Sequence, residues 1–282
     1  QFNYLWGSQI HFPYSLAMLV AYAKTKPTIS SELNFEKTFI FRDKILNNIQ
    51  ECSDAEILLC SCYVWNWEIT THLAKEVKKI NPSCLIIFGG PQVPDDDPTF
   101  FEKYPFVDII VHGEGEIILA NILDAYLKDK DFSKILGLET KNFKNDRQPR
   151  IMEIGNLPSP YLTDVIWELT EKNDKIDYLA SWESNRGCPY PCTFCDWGSL
   201  TAQRMSMWDE DRLYKEIEWF GKNKIVYVDS CDANFGILQE KDLKLSKKLS
   251  DTSLKTGFPK RVRLSWAKFS SDKIIPLAKE LQ

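Results

Sequence analysis

The stretch RGCPYPCTFCDWG, residues 186–198, places Cys188, Cys192 and Cys195 within eight positions. Three thiolates from one tight loop suit a cuboidal iron–sulfur cluster that keeps one iron free of protein ligands. A structural zinc site usually takes four Cys or His ligands, and the chain has no second CxxC or HxxxH string to complete one. A disulfide framework would leave one cysteine over. The spacing therefore favours a cluster with one open iron.

Strands and helices alternate around this loop. Strands are predicted at 176–182, 224–228 and 261–266, and helices at 209–220, at 240–249 and from 271 onward. Such alternation indicates parallel strands joined by right-handed crossovers, with reactive groups at the carboxyl ends of the strands. The cysteine loop lies at such an end.

The first half of the chain shows a doubly wound α/β pattern. Its predicted helices are 12–25, 68–80 and 116–127, and its predicted strands are 35–41, 55–64, 84–90 and 107–113. Ligands of such sheets bind beyond the carboxyl ends of the strands. The candidate binding residues are therefore those that follow the apolar runs: Ser61, Tyr63, Trp65, Asn66, Gly89, Gly90, Pro91, Gly113, Glu114, Gly115 and Glu116.

The cysteine loop, with Phe194 directly before the third cysteine, resembles that of radical S-adenosylmethionine (SAM) enzymes. The resemblance implies a [4Fe-4S] cluster on the three cysteines, with SAM chelating the fourth iron and Phe194 near its adenine. It also implies that the reduced cluster cleaves SAM to a 5′-deoxyadenosyl radical. The cofactor carries that chemistry, and the protein excludes water and positions the substrate.

Polar residues follow the next strand, where this family often carries Gly-Gly-Glu, a string that is missing here. The resemblance assigns Asp232, Asp229 and Asn234 to SAM. The same residues also suit an ordinary strand-to-helix turn, because Asp and Asn favour turns. Ser265, near the end of the third strand, is a further candidate for SAM.

The first half resembles the cobalamin-binding domain that precedes the radical core in one branch of the superfamily. The strings SCYVWNW, FGGPQV and HGEGE stand at the matching places. This implies a cobalamin site formed by Ser61, Tyr63, Trp65, Gly89, Gly90, Pro91, Gly113 and Glu114. The motif DxHxxG is absent, which implies cobalt without a His ligand below it and leaves open a domain that serves only as a scaffold.

The expected fold class is thus α/β, with a Rossmann-like doubly wound domain before a partial β/α barrel. We expect the first domain at 1–128, a connector at 129–174 and the first half of a radical SAM barrel at 175–282, in a chain that reads as a fragment. The leading function is a cobalamin-linked radical SAM C-methyltransferase that acts on an unactivated carbon. The alternatives are a cobalamin-free epimerase, cyclase or oxidase, with peptide natural-product maturation as one setting, and a non-catalytic corrinoid or cluster carrier. No catalytic residue is assigned.

Composition limits the partners. A net charge of −5, without a basic stripe, argues against a nucleic-acid surface, and no apolar run of about 18 residues points to a membrane span. Eight cysteines and an oxygen-sensitive cluster fit a reducing, cytoplasmic compartment. The expected partners are a flavodoxin- or ferredoxin-type reductant and a small-molecule or peptide substrate.

Overall fold

A computed structural model describes residues 8–38, 44–170, 172–195, 204–268 and 271–281. Its strands are β1 (Gln9–His11), β2 (Ile57–Ser61), β3 (Leu85–Gly89), β4 (Ile109–Val111), β5 (Leu138–Glu139), β6 (Asp177–Trp182), β7 (Asn185–Arg186), β8 (Ser206–Met207), β9 (Tyr227–Ser230) and β10 (Arg261–Arg263). Its helices are α1 (Tyr14–Ala23), α2 (Pro27–Glu32), α3 (Ile45–Glu51), α4 (Trp67–Ile80), α5 (Phe100–Lys103), α6 (Gly115–Lys128), α7 (Val165–Leu169), α8 (Glu210–Lys222), α9 (Gln239–Thr256) and α10 (Ser271–Glu280).

The chain divides into two compact units, each made of more than one segment of the sequence. Among the described residues, the first holds 15–151 and 165–170, and the second holds 8–14, 152–164 and 172–281. The stretch expected to be a connector is therefore shared between the units. Residues 9–14, which the sequence placed in the first domain, belong to the second.

The first unit is a sheet covered by helices on both faces. Its strand order is β2-β3-β4-β5, with β2, β3 and β4 parallel and β5 antiparallel to β4. Ile86 and Phe88 of β3 point to a core that includes Leu73 and Val77 of α4, whereas Ile87 packs on the other face with Ile118 of α6. Alternate strand residues therefore serve two cores, which is the doubly wound arrangement expected from the sequence.

Most predicted elements of this unit are confirmed, and one predicted strand is corrected. Residues 35–38 of the predicted strand 35–41 lie outside any strand, and residues 39–41 lie outside the described residues. One further strand was not predicted: β1 precedes the first helix and pairs in parallel with β6 of the second unit. Three residues at a sheet edge are too few to show a sequence period.

The second unit has a four-stranded parallel sheet in the order β1-β6-β9-β10. Helices α8, α9 and α10 follow β6, β9 and β10, so the predicted strand–helix alternation is confirmed. One strand begins later than predicted, at Tyr227, because Lys224 adopts a left-handed conformation (φ 56°) in the turn after α8. The fully buried Trp182 and Phe220 meet edge to face where the sheet packs on α8.

The strands of the second unit end at the same edge. Trp182 of β6 lies beside Ser230 of β9, and Asp229 lies beside Arg263 of β10. The loop that carries the cysteines, the loop at 231–238 and the segment at 264–268 therefore leave the sheet side by side.

Within the described ranges, no helix combines the length and the apolar character that crossing a membrane requires.

Candidate functional site

The three cysteines lie on one loop that follows β6 and β7. Cys188 is buried, with 7% of its surface exposed, and Cys192 and Cys195 are partly exposed. The backbone N–H of Cys195 donates to the carbonyl of Cys192 at 3.1 Å, which closes a turn between the last two cysteines. In the described part of the chain, no three His, Cys, Asp or Glu side chains surround a single ion position. Thiolates that bind different irons of a cluster need not meet at one point.

A buried carboxylate anchors the start of this loop. Asp232, which is 2% exposed, accepts hydrogen bonds from the backbone N–H groups of Ser184 at 2.8 Å and Asn185 at 3.1 Å, and from the Ser184 hydroxyl at 2.6 Å. Burial raises the pKa of Asp232 to about 6, against the lowering effect of these hydrogen bonds. The amine of Lys241 donates to the Ser184 carbonyl at 3.0 Å. The residues directly before the cysteines are thus tied to the loop after β9.

Two further side chains reach the cysteine sulfurs. The Asn234 amide Nδ2 donates to Cys188 Sγ at 3.0 Å, and the Lys268 amine donates to Cys192 Sγ at 2.6 Å. The contact with Cys192 raises the pKa of Lys268. The Lys268 amine also lies 5.3 Å from the ring centre of Tyr190 and 5.7 Å from that of Phe194. Phe194 is 87% exposed, so its ring is open to a ligand.

The residues that the sequence assigned to SAM lie near one sheet edge, but most are engaged by the protein itself. Asp232 binds Ser184 and Asn185, and Asn234 binds Cys188. Asp229 accepts a hydrogen bond from Arg263 Nε at 2.6 Å. Ser265 has an exposed side chain, and its carbonyl accepts the Phe235 N–H. Of this group, Phe194 and Ser265 offer the most open surface.

The predicted cobalamin residues also share a sheet edge, in the first unit. Ser61, Gly89 and Val111 stand in one row at the carboxyl ends of β2, β3 and β4. The loops that begin there contain Tyr63, Trp65, Pro91, Gly113 and Glu114, as predicted. The rings of Tyr63 and Trp65 stack with centres 4.4 Å apart, and Trp65 is 45% exposed. An aromatic pair therefore stands at this edge.

Two glycines of this edge have different surroundings. Gly90 has φ +112°, and a Cβ there would lie 2.6 Å from the Cys62 carbonyl oxygen, so the neighbouring backbone already fills that position. Gly113 has φ +92° and nothing within 4 Å of its Cβ position. Both residues need the left-handed backbone that Gly tolerates. Of the two, only Gly113 leaves room for a ligand. A Cβ at Gly89 would lie 3.7 Å from Val111 Cβ, which is an ordinary contact distance.

Polar contacts shape the loop around Gly113. Glu114 Oε2 accepts the backbone N–H of Ile151 at 2.6 Å. His112, which is 5% exposed, lies between two carboxylates: its Nε2 is 2.8 Å from Glu139 Oε2 and its Nδ1 is 3.4 Å from Asp95 Oδ1. Glu114 thus binds Ile151, a residue of the predicted connector, and this hydrogen bond fixes the direction of the Gly113 loop.

Comparison with known proteins bears on both units. Residues 9–123 match the family model described as a B12 binding domain. The chain is 36% identical over 277 residues to 2-(S-pantetheinyl)-carbapenam-3-carboxylate methyltransferase of Streptantibioticus cattleyicolor, with 95% of this chain and 40% of that protein covered. It is 35% identical over 281 residues to the cobalamin-dependent radical SAM methyltransferase TokK of Streptomyces tokunonensis, with the same coverage. The chain is therefore similar, over nearly its whole length, to cobalamin-dependent methyltransferases of the radical SAM superfamily.

Solved structures of this superfamily share the fold. The radical SAM methyltransferase TsrM of Kitasatospora setae, solved with cobalamin and a [4Fe-4S] cluster, matches with a TM-score of 0.64 at 13% identity, over 97% of this chain and 56% of that chain. The cobalamin-dependent enzyme OxsB, solved with aqua-cobalamin and SAM, matches with a TM-score of 0.63 at 14% identity, over 99% and 41%. The present chain spans about 40% of the length of the two methyltransferases named above.

The residues of this chain fit a [4Fe-4S] cluster, cobalamin and SAM to different degrees. The cysteine loop offers three soft thiol ligands, and two of their sulfurs already accept hydrogen bonds, as thiolate ligands do. Gly113 offers open space at the edge predicted for cobalamin. For SAM, Phe194 and Ser265 are accessible, whereas Asp232 and Asn234 hold the loop. Sequence reasoning missed the residues that anchor the cysteine loop: Ser184, Asn185 and Lys241. The sequence indicates such a role only by position, because Ser184 and Asn185 directly precede the loop and Lys241 lies on α9.

Proposed function

We propose that the protein is a cobalamin-dependent radical SAM methyltransferase that methylates an unactivated carbon. The observation that carries this proposal is a buried anchor for a three-cysteine loop, in a chain that also holds a B12-binding domain. Two relatives above 30% identity, aligned with 95% of this chain, are methyltransferases by name. The cofactors are a [4Fe-4S] cluster, SAM and cobalamin.

Each part of the chain has its own task in this proposal. The bound cofactors together supply a 5′-deoxyadenosyl radical and a transferable methyl group. Cys188, Cys192 and Cys195 hold the cluster, and Asp232 keeps their loop in place. Phe194 and Ser265 contact SAM, which their exposed side chains permit. The edge at Ser61, Gly89 and Gly113, with the Tyr63–Trp65 pair, receives cobalamin.

The setting of the reaction follows from the thiols. All eight cysteines are free, and four of them are buried in the first unit. Free thiols and a cluster persist in a reducing compartment, so we place the enzyme in the cytoplasm. The electron comes from a flavodoxin- or ferredoxin-type reductant, and the substrate is a small molecule or a peptide.

A cyclase is the second candidate. The anaerobic magnesium-protoporphyrin IX monomethyl ester cyclase of Synechocystis is 28% identical over 178 residues, which cover 54% of this chain. Its identity and coverage are both below those of the two methyltransferases. We therefore rank methyl transfer first.

The products of SAM distinguish these reactions. A radical methyltransferase releases both 5′-deoxyadenosine and S-adenosylhomocysteine, because it cleaves one bond to give the radical and another to give the methyl group. A radical cyclase releases 5′-deoxyadenosine alone, and a carrier releases neither. The full-length protein, reconstituted anaerobically with iron, sulfide and hydroxocobalamin, is reduced with dithionite in the presence of SAM. Mass spectrometry of the supernatant measures both products, and lack of S-adenosylhomocysteine would overturn the methyltransferase proposal.

A further inference from the structure

Two hydrogen-bond donors approach the cysteine loop from neighbouring strand ends. Asn234, in the loop after β9, donates to Cys188 Sγ at 3.0 Å. Lys268, in the segment after β10, donates to Cys192 Sγ at 2.6 Å. The two donors thus contact two of the three sulfurs, and they belong to different elements of the second unit.

The backbone holds these two segments together. The Phe235 N–H donates to the Ser265 carbonyl at 2.7 Å, and the Ala267 N–H donates to the Phe235 carbonyl at 2.8 Å. The ring of Phe235 is fully buried and meets Trp266 edge to face, with ring centres 5.9 Å apart. Asn234 and Lys268 therefore flank a two-bond bridge that fixes their spacing.

A second contact fixes the loop of Asn234. The Asp242 carboxylate, buried at the start of α9, accepts the backbone N–H groups of Gly236 at 2.7 Å and Leu238 at 3.0 Å. Asn234 itself is 3% exposed, so its amide has little freedom to turn away from Cys188. Donors held in this way are in place without rearrangement when a ligand binds.

We propose that Asn234 and Lys268 are positioning residues that raise the reduction potential of the [4Fe-4S] cluster by donating hydrogen bonds to its Cys188 and Cys192 ligands. This inference rests on the proposed function. Reduction adds a negative charge to the cluster, and a hydrogen bond or a cation at a ligand sulfur stabilises that charge. Lys268 contributes an ammonium, whereas Asn234 contributes a neutral donor in a buried site.

The test is a redox titration of the reconstituted full-length protein with dithionite and mediators, followed by the electron paramagnetic resonance signal of the reduced cluster. The variants are Asn234→Ala and Lys268→Met. For each, we expect about a tenfold lower ratio of reduced to oxidised cluster at a fixed potential, which is about 59 mV for a one-electron couple. Lys268→Arg keeps the charge and should stay near the parent.

A matched control lies at the first residue of α9, next to the loop of Asn234. The Gln239 amide Nε2 donates to the Gly236 carbonyl at 2.8 Å and not to a sulfur, so Gln239→Ala should leave the midpoint potential unchanged. Lys268 is exposed, so we expect Lys268→Met to fold as the parent does. If the buried Asn234→Ala variant binds less iron, the Lys268→Met potential alone still tests the inference. Parent-like potentials in both variants, at parent-like iron content, would overturn the inference. A parent that holds no cluster would instead overturn the proposed function.

Discussion

Asp232 and Ser184 are joined by two hydrogen bonds, from the Ser184 backbone N–H at 2.8 Å and from its hydroxyl at 2.6 Å. They lie on the loops that follow β9 and β6, and a third hydrogen bond comes from Asn185 at 3.1 Å. Asp232 therefore fixes the path of the chain four residues before Cys188.

The first prediction concerns loss of this anchor. Asp232→Ala leaves two buried N–H groups and a hydroxyl without their acceptor, which should lower the free energy of unfolding by about 2–3 kcal/mol. Asp232→Asn should cost less, because its Oδ1 accepts both N–H groups and its Nδ2 donates to the Ser184 hydroxyl. Urea unfolding measures both changes, with the exposed Asp251→Asn as control. Parent-like stability of Asp232→Ala would show that the anchor contributes little.

The second prediction is a pH dependence. Burial raises the pKa of Asp232 from 3.8 to about 6, so between these values the folded protein binds more protons than the unfolded chain. The stabilisation of the folded state that results from this raised pKa is fully present below about pH 4. As the pH rises through 6, the free energy of unfolding should fall by about 3 kcal/mol in total. Asp232→Asn removes the titrating group and should flatten this part of the stability profile. An unchanged slope between pH 4 and 6 in that variant would contradict the assignment.

The sequence predicted the cysteine loop because three cysteines at fixed local spacing carry their meaning within one segment. It also predicted which loops share an edge, since parallel strands end on the same side. It left two roles open for Asp232, a ligand of SAM or a turn residue. The structure shows a third role, as an anchor of Ser184 and Asn185, which depends on contacts between distant segments that no local pattern encodes.

The pairing of β1 with β6 was beyond sequence reasoning for the same physical reason. A three-residue edge strand has almost no period, and its partner is chosen by tertiary packing. The glycines give a second example. Gly90 and Gly113 each follow a predicted strand, so the sequence does not distinguish them. Only the structure shows that backbone atoms fill the Cβ position at Gly90 and that the Cβ position at Gly113 is open.

The third prediction uses this difference. Gly113→Leu should reduce corrinoid retention at least tenfold while the fold is kept, because the side chain enters open space. Gly113→Ala imposes the same left-handed backbone, at a cost of about 1–2 kcal/mol, with little bulk, and should retain corrinoid. Visible absorbance after purification from cobalamin-supplied cells measures retention. Equal retention in Gly113→Leu and the parent would remove Gly113 from the site.

Gly90→Ala is the matched substitution at the packed glycine. Its Cβ would lie 2.6 Å from the Cys62 carbonyl oxygen, so the loop itself must shift. We expect a lower free energy of unfolding for Gly90→Ala than for Gly113→Ala in the same urea titration. Loss of corrinoid in the Gly90 variant would then follow from a damaged loop and not from a blocked ligand space.

The last prediction separates the two sets of cysteines. Cys52, Cys60, Cys62 and Cys84 are buried in the apolar core of the first unit, and burial raises the pKa of Cys52 and Cys62 to about 12. Thiols in such a core react slowly, because the thiolate is the reactive form. Brief iodoacetamide treatment of the apoprotein should therefore modify Cys192 and Cys195, which are partly exposed, before these four. Peptide mass spectrometry gives the order of modification.

The same separation should appear in iron content. Cys188→Ala, Cys192→Ala and Cys195→Ala should each abolish formation of 5′-deoxyadenosine, and the triple variant should lose about four irons and its charge-transfer absorbance. Cys84→Ala, which removes a fully buried thiol of the first unit, should keep both at the parent level. Iron analysis and absorbance of the anaerobically reconstituted proteins make the comparison. Retention of the parent's absorbance by the triple variant would place the cluster elsewhere.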